Sequence, residues 1–148
     1  MVGPTKGAVY GIKRYQDAIH SLLPSARLNR LEYPVPPNRL LSILRRAFFT
    51  LEVLLCAKGK SPKHFTTQYL AYLALLPGMG NSIVTVYDTV FIQRLADFPL
   101  LNRVMMRLNI EGIKRARKVI TISDYSARQI SSHLHVPRSR IAIIKPGM

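Results

Sequence analysis

Apolar residues recur at helical spacing in five stretches of the chain, and this pattern sets the first expectations about its fold. In the first stretch, Ile12, Tyr15 and Ile19 fall on one side of a helix. The predicted helices cover residues 11–23, 38–57, 67–76, about 99–118 and about 124–135. Pro24 stops the first of them, and Pro99 suits the first turn of the fourth.

Short runs rich in Val and Ile predict buried strands between these helices. The predicted strands lie at residues 28–33, 83–87, 119–122 and 140–144, and residues 88–98 are predicted to be a loop. Strands that alternate with helices favour βαβ units and a parallel sheet. Such sheets bind ligands at the carboxyl ends of their strands, which predicts a functional edge formed by Tyr87, Asp88, Ser123 and Asp124.

Composition and charge narrow the class of protein. The 148 residues are 48% apolar, enough to bury the core of one domain. Lys and Arg number 22 against 7 Asp and Glu, and the resulting charge of +15 attracts phosphate on nucleic acid, lipid head groups or nucleotides. Cys56 is the one cysteine, which excludes a disulfide framework and a four-ligand zinc site of the finger type. The reducing cytoplasm is therefore the expected compartment, and no metal site is expected.

Four segments in the second half of the chain resemble a known family in their order and spacing. They are residues 85–88, which read Thr-Val-Tyr-Asp, followed by residues 116–126, 136–137 and 140–147. Together they resemble the N-terminal domain of group 1 glycosyltransferases of the GT-B fold. Residues 11–15 and 64–68 are similar, more loosely, to the glycine loop of that family and to one of its strand ends.

The resemblance implies a Rossmann-like three-layer α/β/α sandwich with a mainly parallel sheet. It implies a single N-terminal, acceptor-side domain over residues 1–148, with the hinge between domains at residues 145–148. The complete enzyme would transfer a sugar from a nucleotide-sugar to an acceptor hydroxyl, in many members lipid-linked, and would need no other cofactor. A C-terminal domain or subunit would hold the donor, so residues 1–148 alone are expected to be inactive.

Three departures from the family pattern modify these expectations. Only residues 1–9 precede the glycine loop, so the first strand is expected to be shortened or missing. Tyr10 replaces the first glycine of a pair, and Tyr87 replaces a histidine that lies beside the reacting sugar in the family. A tyrosine with an ordinary pKa of about 10 cannot relay protons near neutral pH, which weakens the case for ordinary catalysis.

The resemblance also assigns roles to individual residues. The catalytic position falls on Tyr87 and Asp88. The positions that approach the donor phosphate or line the cleft fall on Gly11, Arg14 and Ser123. The acceptor side of the cleft falls on His64 and Thr66.

Most of these residues also have a purely structural interpretation. Gly11 starts a helix equally well, and Asp88 orients a loop through its carboxylate. Ser123 caps the next helix by accepting a hydrogen bond from a backbone N–H near Ser126. His64 is otherwise an exposed histidine beside Lys63.

Basic residues surround the apolar helix predicted at 38–57. They are Arg39, Arg45, Arg46, Lys58, Lys60 and Lys63. The polar positions of this helix, Ser42, Arg45, Arg46 and Thr50, form one narrow stripe, so either the protein core or a bilayer must cover its wide apolar face. Basic amphipathic helices attract anionic membranes, which predicts a peripheral position on the inner face of the membrane.

Two alternatives from other classes remain at this point. In the first, the chain is a non-catalytic subunit that tethers a separately encoded donor-binding subunit to the membrane. In the second, which rests on charge alone, the chain binds nucleic acid. That partner is not expected, because the sequence has no helix-turn-helix, no aromatic sheet motif and no arginine-rich tail.

Overall fold

The fold is α/β, with one parallel sheet at its centre. The computed structural model describes residues 2–4, 17–18, 31–33, 39–57 and 59–145. Its strands are β1 (Val2–Pro4), β2 (Leu31–Tyr33), β3 (Lys63–Phe65), β4 (Ser82–Val86), β5 (Lys118–Thr121) and β6 (Ile141–Ile143). They lie side by side in the order β2-β1-β3-β4-β5-β6, and every pairing is parallel. The predicted parallel α/β sheet is therefore confirmed, and it is compatible with a Rossmann-like fold.

Helices connect most of these strands. The α-helices are α1 (Arg39–Cys56), α2 (Val90–Gln93), α3 (Leu100–Arg115) and α4 (Asp124–Leu134). The 3₁₀ helices are η1 (Gln68–Leu75), η2 (Leu95–Asp97) and η3 (Arg138–Arg140). Asp17 and Ala18 are helical, and the rest of the helix predicted at 11–23 lies outside the described residues.

The first strand was expected to be either shortened or missing, and it is present but short. β1 has three residues, and it pairs with β2 on one side and with β3 on the other. The contact with β3 is limited to the pair Val2 and Phe65. Even so shortened, β1 occupies an interior place in the sheet.

The prediction of a loop at residues 88–98 is wrong, because α2 and η2 both lie inside it. The carboxylate Oδ1 of Asp88 accepts a hydrogen bond from Val90 N at 3.2 Å, at the start of α2. Phe91, one residue later, is buried in the core. The contact from Asp88 and the buried ring of Phe91 stabilise this short helix, although its sequence has no extended apolar period.

One face of the sheet is buried along β3, β4 and β5. Phe65, Val84, Val86 and Val119 lie on this face and are fully shielded from solvent. The residues next to them along the strands, such as Ile83 and Ile120, point to the opposite face and are only half-buried. The fully buried apolar side chains of β3, β4 and β5 therefore lie on the side of the sheet that carries Phe65, although Thr85 on the opposite face is buried as well.

The helix predicted at 67–76 is present as η1, but it is a 3₁₀ helix. A 3₁₀ helix has three residues per turn, so side chains three apart are aligned in rows. The row of Gln68, Ala71 and Ala74 is buried, whereas the row that begins with Tyr69 and Tyr72 is more exposed. Eight residues is long for this helix type, and the rows of buried side chains show that packing stabilises it.

The helices η1 and α3 pack closely against each other. A Cβ atom added at Gly112 of α3 would overlap the carbonyl group of Ala71 and lie 2.9 Å from Tyr72 N. The neighbouring Asn109 accepts a hydrogen bond from Tyr72 N through its Oδ1 at 3.0 Å. Gly112 is therefore needed for close approach, and Asn109 satisfies a backbone group that this approach would otherwise bury unpaired.

We expect Gly112→Ala to destabilise the protein by about 3 kcal/mol, because its methyl group would push η1 away from α3. Gly80→Ala is the matched control, since nothing lies within 4 Å of a Cβ at that position. Urea unfolding followed by circular dichroism measures both free energies of unfolding. Equal stability of the two variants would contradict the close packing described for Gly112.

Candidate functional site

The candidate site lies at the edge where the parallel strands β3, β4 and β5 end. The strand order reverses between β1 and β3, because β2 lies beyond β1 and β4 lies beyond β3. In open parallel sheets, ligands bind outside the carboxyl ends of the strands at such a reversal. The described residues that follow these strands are Thr66 to Gln68 after β3, Tyr87 to Thr89 after β4 and Ile122 to Asp124 after β5.

Gln68 joins the ends of β3 and β4. Its side-chain Nε2 donates to Asp88 Oδ2 at 3.1 Å, and its Oε1 accepts from Tyr87 N at 3.3 Å. Gln68 is itself buried, at the first position of η1. The amide therefore holds the backbone and the carboxylate that follow β4 in one geometry.

Asp88 is oriented through both carboxylate oxygens. Oδ2 accepts from Gln68, and Oδ1 accepts from Val90 N. The structural interpretation of Asp88, that its carboxylate orients the backbone that follows β4, agrees with these contacts. Each carboxylate oxygen has a further lone pair, so an oriented Asp88 can still accept a hydrogen bond from a hydroxyl.

Tyr69 also lies at this edge of the sheet, and the sequence motifs did not identify it. It is 44% exposed and lies next to Gln68 in η1. Partial burial, and then the negative charge of Asp88, raise the pKa of Tyr69 above its usual value. The phenol therefore remains protonated and able to donate a hydrogen bond across the neutral pH range. Its place directly after the His-Phe-Thr-Thr-Gln segment was the only sequence signal for it.

His64 is bound within the sheet. Its ring Nε2 lies 2.8 Å from Thr85 Oγ1 on the neighbouring strand β4. Burial lowers the pKa of His64 from its usual 6.5 to about 4, so the imidazole is neutral at physiological pH. A neutral, half-buried ring does not attract phosphate as a cation would. Thr66, the other residue assigned to the acceptor side, is fully buried.

Ser123 caps α4, as its residue type predicts. Its Oγ accepts from Ser126 N at 3.1 Å and lies 3.0 Å from Ser126 Oγ. The N-terminal N–H groups of α4 consequently face the same edge as Asp88. Gly11 and Arg14, assigned to the donor phosphate, lie outside the described residues.

The basic residues near α1 divide into exposed and inward-facing groups. Arg45 and Lys60 are exposed. Arg46 instead lies over the ring of Tyr72, with its guanidinium carbon 5.8 Å from the ring centroid. Lys63 is 7% exposed, and its ammonium donates to the carbonyl oxygens of Gly59 and Gly78.

Lys63 is consequently not available to a membrane surface, contrary to the assignment from sequence. Lys63 is the first residue of β3. Its side chain is buried there, and the two carbonyl groups accept hydrogen bonds from its ammonium group. Of the remaining two basic residues, the side chain of Arg39 and the whole of Lys58 lie outside the described part of the chain.

Within the described residues, no cluster of three or more His, Cys, Asp or Glu side chains is arranged to hold a metal ion. None of the described helices is long and apolar enough to cross a bilayer. Comparisons with protein-family models, curated proteins and solved structures give no match to the chain.

Gln68→Leu tests the bridge between β3 and β4. The variant removes the acceptor for Tyr87 N and the donor to Asp88, and we expect it to lower the free energy of unfolding by about 1–3 kcal/mol. Gln93→Leu removes an exposed hydrogen bond to Gln129 and should change stability by less than about 0.5 kcal/mol. Chemical denaturation measures both variants, and an equal effect would show that the Gln68 bridge is not structural.

The lowered pKa of His64 predicts a specific dependence of stability on pH. Between pH 6.5 and pH 4 the unfolded chain binds a proton at His64 that the folded chain does not, so stability falls as the pH falls. The loss by pH 4 should reach about 3 kcal/mol, and above pH 6.5 it should vanish. Urea unfolding of the native protein and of His64→Gln across this range isolates the effect. A similar slope in the two proteins would exclude His64 as its source.

Proposed function

We propose that residues 1–148 form a Rossmann-like three-layer α/β/α domain, the N-terminal, acceptor-side half of a GT-B glycosyltransferase. The complete enzyme transfers a sugar from a nucleotide-sugar to an acceptor hydroxyl. The observation that carries the proposal is the bridge from Gln68 to Asp88 and Tyr87 at the carboxyl ends of β3 and β4, next to the reversal of strand order between β1 and β3. These residues belong to the two segments, 64–68 and 85–88, that resemble strand ends of that family.

In this proposal Asp88 positions the acceptor. Its carboxylate is fixed by Gln68 and by Val90 N, so the lone pairs that remain have a defined direction. An acceptor hydroxyl that donates to Asp88 would be held in one orientation relative to the donor sugar, which reduces the entropic barrier to transfer.

In this proposal two further groups interact with the donor. Tyr87 replaces the family histidine. Its hydroxyl is shielded from solvent in the structure, so it would donate a hydrogen bond to a sugar or phosphate oxygen only after its side chain turns outward, and without relaying a proton. The N-terminus of α4, capped by Ser123, adds a partial positive charge that favours phosphate. Closure of a C-terminal domain over the donor would then exclude the water that competes with the acceptor.

A second candidate function is favoured by the identity of residue 87. A tyrosine at the family's histidine position fits a subunit that docks a separate donor-binding protein and does not itself catalyse transfer. Catalysis distinguishes the two: Asp88→Asn in the assembled enzyme should lower kcat if this domain positions the acceptor, and should leave kcat unchanged if the domain only tethers.

We expect nucleotide-sugars to bind residues 1–148 weakly, because the proposal gives most donor affinity to another domain. Two-dimensional ¹H–¹⁵N spectra recorded with uridine- and guanosine-diphosphate sugars should show shifts at the amides of residues 66–69, 87–90 and 123–126. The free sugars serve as controls. Shifts confined to other parts of the chain, or none with any nucleotide-sugar, would overturn the proposal.

Residues 1–148 alone should show no detectable sugar transfer to an added acceptor. The physical reason is that neither the donor nor its departing nucleotide would be enclosed. Chromatography of the reaction mixture measures sugar transfer as the release of nucleotide from the same nucleotide-sugars. Transfer by this chain alone would refute the assignment of donor binding to a separate domain.

A further inference from the structure

The solvent-facing side of α1 is apolar. Five large side chains on it are between 52% and 68% exposed: Ile43, Leu44, Phe48, Leu51 and Leu55. Four of them follow the spacing i, i+4, i+7, i+11, so they form one continuous line along the helix, with Ile43 beside it. We call these five residues the α1 stripe. Its length is about 16 Å, from 1.5 Å of rise per residue.

Contacts on the opposite side fix the rotation of α1. Phe49 and Val53 are buried, and Phe49 packs edge-on against Tyr33 with ring centroids 5.1 Å apart. Thr50 Oγ1 lies 3.1 Å from Tyr72 OH, and Arg46 lies over the same tyrosine ring. The helix therefore cannot turn its apolar line inward without breaking these contacts.

This arrangement answers the question that the sequence left open about the helix at 38–57. The polar positions Arg46 and Thr50 contact the protein, and the core covers Phe49 and Val53 but not the α1 stripe. A contiguous apolar line of this size on the surface marks an interaction site.

We propose that α1 lies in the plane of an anionic lipid surface, with the α1 stripe inserted at the boundary between head groups and acyl chains. Charge identifies the partner: the chain carries +15, and Arg45 on α1 and Lys60 just beyond it are exposed, against the single exposed carboxylate of α1, Glu52. Apolar insertion and attraction to anionic lipids are the two contributions that bind interfacial helices. The inference does not depend on the glycosyltransferase proposal.

A second copy of the chain is a poorer partner for the α1 stripe. Two molecules that each carry +15 repel one another, so their net charge opposes association through α1. An anionic bilayer, in contrast, attracts the positive charge of the chain. Self-association is therefore an outcome of the tests below that would overturn the proposal.

The protein contains no tryptophan, so one introduced indole reports on its own environment. Phe48→Trp should show a blue shift in fluorescence when vesicles of phosphatidylcholine with 30% phosphatidylglycerol are added. Tyr125→Trp on α4 is the matched control, because Tyr125 is also an exposed aromatic side chain and should show no shift. No blue shift at position 48, or equal shifts at both positions, would exclude insertion of the α1 stripe.

Charge substitutions measure the contribution of the stripe to binding. In vesicle co-sedimentation, Phe48→Asp and Leu55→Asp should each weaken binding about tenfold, and Tyr125→Asp should change it less than twofold. All three sites are exposed, and circular dichroism verifies that each variant is folded. Binding should weaken in pure phosphatidylcholine and at high salt.

Equal binding by Phe48→Asp and the native protein would show that charge alone attracts the chain and would overturn the proposal. Analytical ultracentrifugation supplies the other decisive outcome. A dimer that Phe48→Asp dissociates, with no vesicle binding by the native protein, would assign the α1 stripe to a second copy.

Discussion

The contact between η1 and α3 is the constraint on which the other features depend. Gly112 lets the backbone of η1 approach the axis of α3, and Asn109 accepts the hydrogen bond from Tyr72 N that this approach brings to the interface. A side chain at residue 112 would separate the two elements. Because η1 also lies against the buried sheet face, its position determines where the residues that it contacts are placed.

Two separate parts of the molecule are attached to η1. At its beginning, Gln68 bridges to Asp88 and Tyr87 and so orders the end of β4. In its middle, Tyr72 contacts Thr50 and Arg46 and so fixes the rotation of α1. The candidate site and the orientation of the apolar surface of α1 therefore both depend on the position of η1.

The polar groups near the strand ends are mostly engaged with one another. His64 is paired with Thr85 inside the sheet, Asp88 is held by Gln68 and Val90 N, and Ser123 caps α4. Such contacts cost less free energy than buried polar groups left unpaired. They also mean that this edge presents oriented acceptors and donors and that the imidazole of His64 is uncharged. In the proposed function, this arrangement positions hydroxyl and phosphate groups.

Local sequence determined the features that depend on neighbouring residues. The period of apolar positions located α1, α3 and α4, β-branched runs located β4 and β5, and the residue type of Ser123 predicted its cap, because each depends on contacts within a few positions. Tertiary structure alone decided the rest. Gln68 meets Asp88 across 20 positions, and Gly112 meets Ala71 across about twice that separation, so no local pattern records either contact. For the same reason only the packing against Tyr72 and Tyr33 decided that Arg46 and Thr50 of α1 face the protein and that its apolar line faces outward.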